Sequence, residues 1–219
     1  MIIAIDGPAG AGKSTVARIV AKKLGFLYID TGAMYRALTL KVLESQISVS
    51  DSEAIVRLAH KTNIDLVNNA NGELRVFLDA RDVSLQIREP RITKVVSDIA
   101  KIKEVREVMV EGQRKLAEVK NCVLDGRDIG TVVFPNADKK FYIDADFNER
   151  INRRYKELKA SAQNVCFKDV GSDLSNRDKI DSTREFAPLK KAEDAVYVDT
   201  TNMTIDKVVD RLLENIEME

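Results

Sequence analysis

The fold of this chain is decided by its first fifteen residues, Met1–Thr15, "MIIAIDGPAGAGKST". Residues 7–14, "GPAGAGKS", match G-x-x-x-x-G-K-[ST], the pattern of the phosphate-binding loop (P-loop) of many nucleotide-binding proteins. A short apolar run precedes the loop and predicts a buried strand. Apolar residues spaced three and four apart up to Leu24 predict a helix after it. In this context, a glycine-rich turn that binds no ligand explains the pattern poorly.

The P-loop predicts a site for the phosphates of a nucleoside triphosphate. Its glycines allow several backbone N–H groups to point at one anion, and the following helix adds the partial positive charge of its N-terminus. We expect Lys13 to reach the β- and γ-phosphates and the Ser14 hydroxyl to coordinate Mg²⁺. The residues expected to bind ATP are Gly7, Pro8, Ala9, Gly10, Ala11, Gly12, Lys13, Ser14 and Thr15.

Four further apolar runs follow the first strand, with helical patterns between them. Buried strands that alternate with helices predict an α/β fold, with a five-stranded parallel sheet covered by helices on both faces. The last helix carries an amphipathic stripe, which we interpret as core packing, with a dimer surface as the less favoured alternative. The predicted strands are residues 1–6, 26–30, 121–125, 139–145 and 195–201.

One region interrupts this alternation with a period of two. Apolar and polar residues alternate on both sides of Asn71-Gly72, which is a strong signal for a β-hairpin. We therefore predict a small antiparallel insert over residues 61–89. The chain is then a single domain whose core comprises about residues 1–60 and 90–219.

Two later segments carry helical predictions. The apolar spacing indicates helix broadly over residues 90–119, and a charged helix begins near residue 146. Residues 161 to about 180 have few apolar side chains, so we expect them to be mobile and only partly helical.

Composition excludes several broad classes. Lys and Arg together number 35, as do Asp and Glu, so no bulk positive charge is available for nucleic acid. No apolar run approaches the roughly 20 residues of a membrane span, and the apolar start lacks the features of a signal peptide. The two cysteines and the single histidine, His60, have no ligand-spaced partners. We expect a cytoplasmic monomer that binds neither nucleic acid nor membranes.

Three classes of P-loop protein remain to be separated. A GTPase switch needs a guanine-binding element such as N-K-x-D, which the sequence lacks. A mechanical ATPase normally carries oligomeric or nucleic-acid machinery, which a neutral chain of 219 residues does not indicate. A small-molecule kinase needs arginines that bind the acceptor opposite the P-loop.

Arginines are what the sequence supplies at the expected place. Ligands of open parallel sheets bind at the carboxyl ends of the strands, and Arg36 and Arg127 follow two such ends. The planar guanidinium binds phosphate with two hydrogen bonds and stays charged. Further arginines, any one of which alone would suggest a surface ion pair, are Arg150, Arg153, Arg154, Arg177 and Arg184. Together they favour a kinase.

Four motifs, in order over nearly the whole chain, resemble those of the bacterial cytidylate kinases, which belong to the nucleoside monophosphate kinases. They are "IDGPAGAGKST", "DTGAMYR", "DGRDIGTVVFP" and R-x-x-x-D-x-x-R-x-x-A-P-L, the last over Arg177–Leu189. The resemblance implies the P-loop nucleoside monophosphate kinase fold and transfer of the ATP γ-phosphate to CMP or dCMP, with Mg²⁺. It also implies that the insert binds the acceptor and that residues near 150–180 form a lid.

The resemblance also assigns residues by position. Lys13, Arg127 and Arg184 would be catalytic, Arg153 would lie on the ATP side, and Ser14 would be the metal ligand. For the acceptor, Ser97, Arg106 and Asp128 would bind cytosine, and Arg36, Arg127 and Arg184 its phosphate. The sugar would face Arg177 and Asp181, Tyr35 would line the pocket, and Thr31 would supply a small hydroxyl.

The assignment of Asp128 agrees with the chemistry of the base. Cytosine presents an amino donor at N4, and a carboxylate accepts from it, whereas uracil has a carbonyl there. Without the resemblance, an ordinary polar helix face would be the favoured interpretation of Ser97 and Arg106. A salt-bridged turn remains an alternative for residues 125–128. A non-enzymatic nucleotide-binding switch and a kinase for another small acceptor remain alternatives for the whole chain.

Overall fold

The computed structural model describes residues 1–69, 73–118, 121–160 and 165–217. Among these residues it has eight strands: β1 Ile2–Asp6, β2 Leu27–Asp30, β3 Ile64–Asn68, β4 Leu74–Leu78, β5 Arg81–Asp82, β6 Cys122–Asp125, β7 Lys139–Asp144 and β8 Val196–Asp199. The main sheet runs β2-β6-β1-β7-β8, and all its pairings are parallel. The predicted α/β class and five-stranded parallel sheet are therefore confirmed.

Helices cover both faces of this sheet. On one face, Val16 and Val20 of the first helix and Leu212 of the last pack on Ile3 and Ile5. The other face is covered mainly by the second, fourth and fifth helices. The described helices are α1 Lys13–Leu24, α2 Thr31–Glu44, α3 Ser52–His60, α4 Pro90–Ala100, α5 Lys103–Ala117, α6 Phe147–Ala160, α7 Phe167–Thr183 and α8 Ile205–Glu217.

The antiparallel insert is confirmed as a three-stranded sheet. β3 and β4 pair from Ile64 opposite Leu78 to Asn68 opposite Leu74, and β5 adds a short third strand that the sequence pattern did not predict. The predicted turn at Asn71-Gly72 lies outside the described residues. The inward side chains of β3 and β4 share one apolar cluster with the main sheet and α2, so the insert packs directly on the core.

One helical prediction is refined and another needs correction. The helical structure expected broadly over residues 90–119 consists of two helices, α4 and α5, separated at Lys101-Ile102, and residue 119 lies outside the described part. The segment expected to be partly helical contains one continuous helix of 17 residues, α7. Val170 and Leu174 are four residues apart on one face of α7 and are buried against α6, so a narrow apolar stripe is enough to dock it.

Two short helical turns complete the fold: a 3-10 turn at Gln86–Arg88 and a π-helical turn at Ile129–Val133. Such π turns are rare and often mark functional sites. In the part of the chain that the structure describes, no helix combines the length and apolar content that a membrane span requires.

Candidate active site

Three aspartates meet at the carboxyl edge of the main sheet. Asp6, Asp30 and Asp125 are the last residues of β1, β2 and β6, and all three are buried. In the parallel register Asp125 lies opposite Ile5 on one side and opposite Asp30 on the other. This edge is where open parallel sheets bind ligands.

The P-loop leaves this edge between β1 and α1. Gly7 has a φ of 146°, and a Cβ atom there would lie 1.9 Å from the carbonyl oxygen of Ile143. The loop therefore depends on glycine to pass β7 closely. The Nζ of Lys13 is buried and donates to the carbonyl of Pro8 at 2.6 Å, inside the loop. Burial, and then the positive charge of Arg127, hold the pKa of Lys13 well below its usual value.

Ser14 links the P-loop to the end of β6. Its hydroxyl donates to Asp125 at 2.7 Å, and the Tyr28 hydroxyl donates to the other oxygen of the same carboxylate at 2.7 Å. Burial, and then the charge of Asp30, raise the pKa of Asp125 to about 6. Within the described ranges no group of three or more His, Cys, Asp or Glu side chains could hold a metal by itself. These oxygen donors do fit Mg²⁺, which prefers few protein ligands beside phosphates and waters.

The turn after β6 presents Arg127 and Asp128. The backbone N–H groups of Ile129 and Gly130 donate to the two carboxylate oxygens of Asp6, each at 2.8 Å. Burial raises the pKa of Asp6 to about 7 although these bonds oppose the shift. The end of β1 therefore fixes the start of the π turn directly beside Asp128.

Asp128 is paired with a buried arginine from α5. The Nη2 of Arg106 donates to Asp128 at 2.6 Å, and its Nη1 donates to the carbonyl of Ala100 at 3.0 Å. The guanidinium lies over the ring of Tyr35, 5.1 Å from its centre. The Nε of Arg106 and the hydroxyl of Tyr35 are buried without a hydrogen-bond partner. The predicted base-binding residues Arg106 and Asp128 and the pocket residue Tyr35 thus come together.

Asp181 of α7 gathers three of the predicted arginines. Its carboxylate accepts from the Nε of Arg127 at 2.8 Å and lies 3.8 Å from Arg184 and 4.0 Å from Arg177. Burial alone favours the neutral acid, but the three guanidinium groups outweigh it and lower the pKa of Asp181. Arg184 also lies 3.6 Å from Asp128, so it joins this cluster to the base-binding residues.

Arg36 belongs to a second cluster, in which the charges of Arg88, Arg154 and Arg177 reach it. It donates to the carbonyl of Ile87 at 3.2 Å and to the hydroxyl of Thr93 at 2.9 Å. Burial, followed by the charges of Arg177, Arg88 and Arg154, lowers its pKa to about 9. A buried arginine whose pKa is lowered by neighbouring arginines provides the electrostatic environment of an anion site.

A cavity of about 430 Å³ adjoins this second cluster, between α4, α6 and α7. Ser97, Arg154 and Arg177 are among its lining residues. Ser97 is itself buried on α4.

The hydroxyl of Thr31 is already engaged, because it donates to the carbonyl of Asp125 at 2.7 Å. This bond ties Thr31 to the end of β6, and its predicted place at the acceptor remains a prediction.

Arg153 lies on the opposite side of the P-loop. It donates from Nη1 to the hydroxyl of Thr200 at 2.9 Å and from Nη2 to the carbonyl of Thr200 at 2.6 Å. Its Nη1 also lies 3.5 Å from the carbonyl of Ala11 in the P-loop. This position is compatible with the predicted ATP side.

Sequence reasoning missed Asp6, Asp30 and Arg88. Asp30 caps α2 by accepting from the N–H of Ala33 at 2.9 Å and pairs with Arg88 of the insert at 2.9 Å. A signal was present, because the first three strands of the sheet in chain order all end in aspartate, as "AID", "YID" and "VLD". Arg88 had no comparable signal, since only the folded insert brings it to this edge.

Comparisons with known proteins show the family of the chain. The sequence profile of the family described as Cytidylate kinase matches residues 3–218. A cytidylate kinase of Caldanaerobacter subterraneus is 55% identical over 98% of this chain and 93% of its own length. One of Clostridioides difficile is 50% identical over 100% of this chain and 99% of its own.

Solved structures are similar in fold. An uncharacterized protein from Eubacterium ventriosum has a TM-score of 0.56 at 13% identity, covering 100% of this chain and 99% of its own. A shikimate kinase from Bacteroides thetaiotaomicron has a TM-score of 0.50 at 14% identity, with the same coverage of both chains. At these identities the likeness extends to the fold alone.

Proposed function

The chain belongs to the cytidylate kinase family, and on that premise we propose that it transfers the γ-phosphate of ATP to CMP or dCMP, giving ADP and CDP or dCDP. The observation that carries the proposal is the bond of 2.7 Å between the Ser14 hydroxyl and Asp125. It ties the P-loop directly to the strand whose next residues include Arg127 and Asp128. A donor phosphate in the loop and an acceptor at the turn would therefore be neighbours.

The reaction asks little covalent chemistry of the protein. An oxygen of the acceptor's phosphate attacks the γ-phosphorus, the bond from that phosphorus to the β,γ-bridging oxygen breaks, and ADP leaves. Charge then spreads over the oxygens of the transferred group, so fixed positive groups provide most of the catalysis. No general base is assigned.

The donor side is built from the P-loop. Its backbone N–H groups and Lys13 would hold the phosphates, and Arg153 would lie beside the nucleotide. Because Lys13 is held inside the loop at Pro8, it can turn to a phosphate without first leaving bulk water. Mg²⁺, when bound with ATP, supplies neutralisation of the phosphate charge, and Ser14 with Asp125 beside it would hold the ion.

The acceptor's phosphate would be held by arginines of both clusters. Arg36 contributes from the second cluster, and Arg127 and Arg184 from the cluster around Asp181. Arg88 and Arg154 belong to the second cluster with Arg36, and their charges depress its pKa. Arg177 and Asp181 would face the sugar.

Cytosine would be bound by Asp128, Arg106 and Ser97. Asp128 would accept from the N4 amino group, while the two other side chains would donate to N3 and O2. The buried Arg106 holds Asp128 in place at 2.6 Å, which orients its second oxygen. Uracil would place a carbonyl against Asp128, and an unpaired buried polar group costs about 1–3 kcal/mol.

The peripheral elements would control access. We assign the insert of about residues 61–89 to acceptor binding and the helices near residues 150–180 to a lid. Such a lid excludes water, which otherwise would accept the phosphate from ATP. We further propose that the enzyme is a monomer that acts on small nucleotides, which size-exclusion chromatography with light scattering would test.

Product analysis tests the reaction. Purified protein incubated with ATP, Mg²⁺ and CMP is expected to yield CDP and ADP in equal amounts, with dCDP formed from dCMP. Omission of the acceptor should leave ATP intact, and chelation of Mg²⁺ should stop turnover. A non-enzymatic nucleotide-binding switch would instead show no turnover that depends on the acceptor.

A further inference from the structure

Ala9 is the P-loop residue that connects the loop to α6 and α7, which we call the helical pair. Its side chain is buried in a small apolar cluster with Ile151 of α6 and with Val170 and Leu174 of α7. This cluster is separate from the two large clusters that flank the main sheet. Among the buried residues assigned to it in the described part of the chain, Ala9 is the only one outside the helical pair.

The backbone of Ala9 is held by the same two helices. Its N–H donates to Asp178 Oδ1 at 3.2 Å, and its carbonyl accepts from Arg150 Nη1 at 3.0 Å. Arg150 and Asp178 also form an ion pair with each other. Both polar groups of Ala9 are therefore engaged by one Arg–Asp pair, which we call the Ala9 clamp.

Arg150 is fixed on its remaining sides. Its Nε donates to the carbonyl of Ala145 at 3.1 Å and lies 3.8 Å from Asp144, and the guanidinium lies over the ring of Phe147. Arg150 is buried, so loss of its partner Asp178 would leave part of a buried cation uncompensated. Asp178 is the member of the Ala9 clamp that the test below substitutes first.

Asp178 stands next to the acceptor groups on the same helix. Arg177 precedes it, and Asp181 lies three residues later, on the neighbouring position of the α7 surface. Asp181 holds Arg127 at 2.8 Å. One rigid turn of α7 therefore touches the phosphate cradle through Asp178 and the acceptor arginines through Asp181.

We propose that Asp178 is a positioning residue that couples the donor and acceptor sites, so that occupation of the P-loop strengthens acceptor binding and the reverse. The inference rests on the proposed function. A phosphate in the P-loop fixes the backbone around Ala9. Because the Ala9 clamp joins this backbone to α7, the position of α7 is fixed as well. Asp181 and Arg177 on α7 are then held in place for the acceptor. Such a coupling is reciprocal, because each ligand must change the affinity of the other by the same factor.

Calorimetric titration of CMP, with and without a non-hydrolysable ATP analogue, tests the proposal. For the unaltered enzyme we expect the analogue to tighten CMP binding by about fivefold or more, the usual lower range of coupling between sites. For Asp178→Asn we expect the ratio of the two CMP Kd values to fall towards one, while the Kd of CMP alone stays within about twofold of the unaltered enzyme. Titration of the analogue with and without CMP should give the same ratio.

Matched variants separate coupling from a structural effect. Asp206→Asn removes one carboxylate from an exposed position on α8 and should leave the ratio unchanged. Arg150→Lys keeps the positive charge but loses the guanidinium that contacts both the carbonyl of Ala9 and Asp178. It is the variant to measure if Asp178→Asn does not fold. The coupling would be overturned if the clamp variants kept the ratio of the two CMP Kd values, with both values unchanged or raised by the same factor. An unaltered enzyme that binds no CMP at all would overturn the proposed function itself.

Discussion

Arg106 and Asp128 form an ion pair of 2.6 Å in which both side chains are almost completely buried. Replacing one partner of such a pair leaves the other charge buried and uncompensated, so the substitution lowers the stability of the folded protein. The pair also joins Asp128, the predicted base contact, to Arg106 of α5. The turn of residues 125–128 is therefore more than a local salt bridge, because its acidic side chain is paired with a distant helix.

Asp128→Asn is expected to weaken discrimination between CMP and UMP. The amide can donate to the carbonyl of uracil, whereas the carboxylate repels it. We expect the ratio of kcat/KM for CMP over UMP to fall by about ten- to hundredfold, in line with 1–3 kcal/mol for one buried polar contact. Steady-state kinetics with both acceptors measure the ratio, and Asp210→Asn on the exposed face of α8 serves as control. An unchanged ratio would mean that Asp128 does not contact the base.

Arg127→Ala is expected to lower kcat/KM for CMP by about hundredfold or more, the usual effect of removing one charged donor from a transferred group. Binding of an ATP analogue should change little, since the P-loop backbone is intact. Arg57→Ala, an exposed arginine of α3 paired only with Glu53 in the structure described, is the control. Near-normal turnover would leave Arg127 with a structural role through Asp181.

The buried carboxyl of Asp6 is expected to make stability depend on pH. Its pKa is raised to about 7, so between about pH 4 and 7 the folded protein holds a proton that the unfolded chain has released. Its contribution to the free energy of unfolding is complete at low pH and is lost as the pH rises through about 7. Because Asp6→Asn cannot titrate, the difference in stability between the unaltered protein and this variant should fall from pH 5 to pH 8. Denaturant unfolding at several pH values measures it, and a difference that rises with pH would contradict the shift.

Gly126→Ala is expected to disturb the turn that presents Arg127 and Asp128. An added Cβ would lie 2.7 Å from both the Cδ1 of Ile129 and the Oγ1 of Thr31. Overpacking of this kind costs about 1–3 kcal/mol, and here it should also lower kcat/KM for CMP. The control is Gly112→Ala in α5, where the new methyl group meets only the flexible end of Met34 at 3.3 Å. Thermal unfolding and kinetics that showed the two variants to be alike would argue against a constrained turn.

Much of this architecture could be predicted from local sequence patterns. The sheet is predicted by the P-loop pattern and by the apolar runs of the strands. These runs and the helical spacing after them are local features, so a short stretch of sequence contains each of them. The four motifs predicted the family, which the comparisons confirm. Asp128 and Arg127 were expected at the edge because they follow a strand that ends there.

Other features depend on contacts that no local pattern contains. The continuous helix α7 is stabilised by Val170 and Leu174 against α6, and its composition alone suggested less order. The role of Asp6 depends on two N–H groups more than 120 residues away in the chain. Arg184 was grouped with the acceptor phosphate, and its contact with Asp128 could be found only in the folded structure.

The most direct test of the proposed function is the acceptor preference of the pure enzyme. A coupled assay with ATP and Mg²⁺ would measure kcat/KM for CMP, UMP, AMP and GMP under the same conditions. CMP is expected to be the best acceptor, with AMP and GMP far below it, because Asp128, Arg106 and Ser97 match the edge of cytosine. A higher kcat/KM for AMP than for CMP would contradict the assignment.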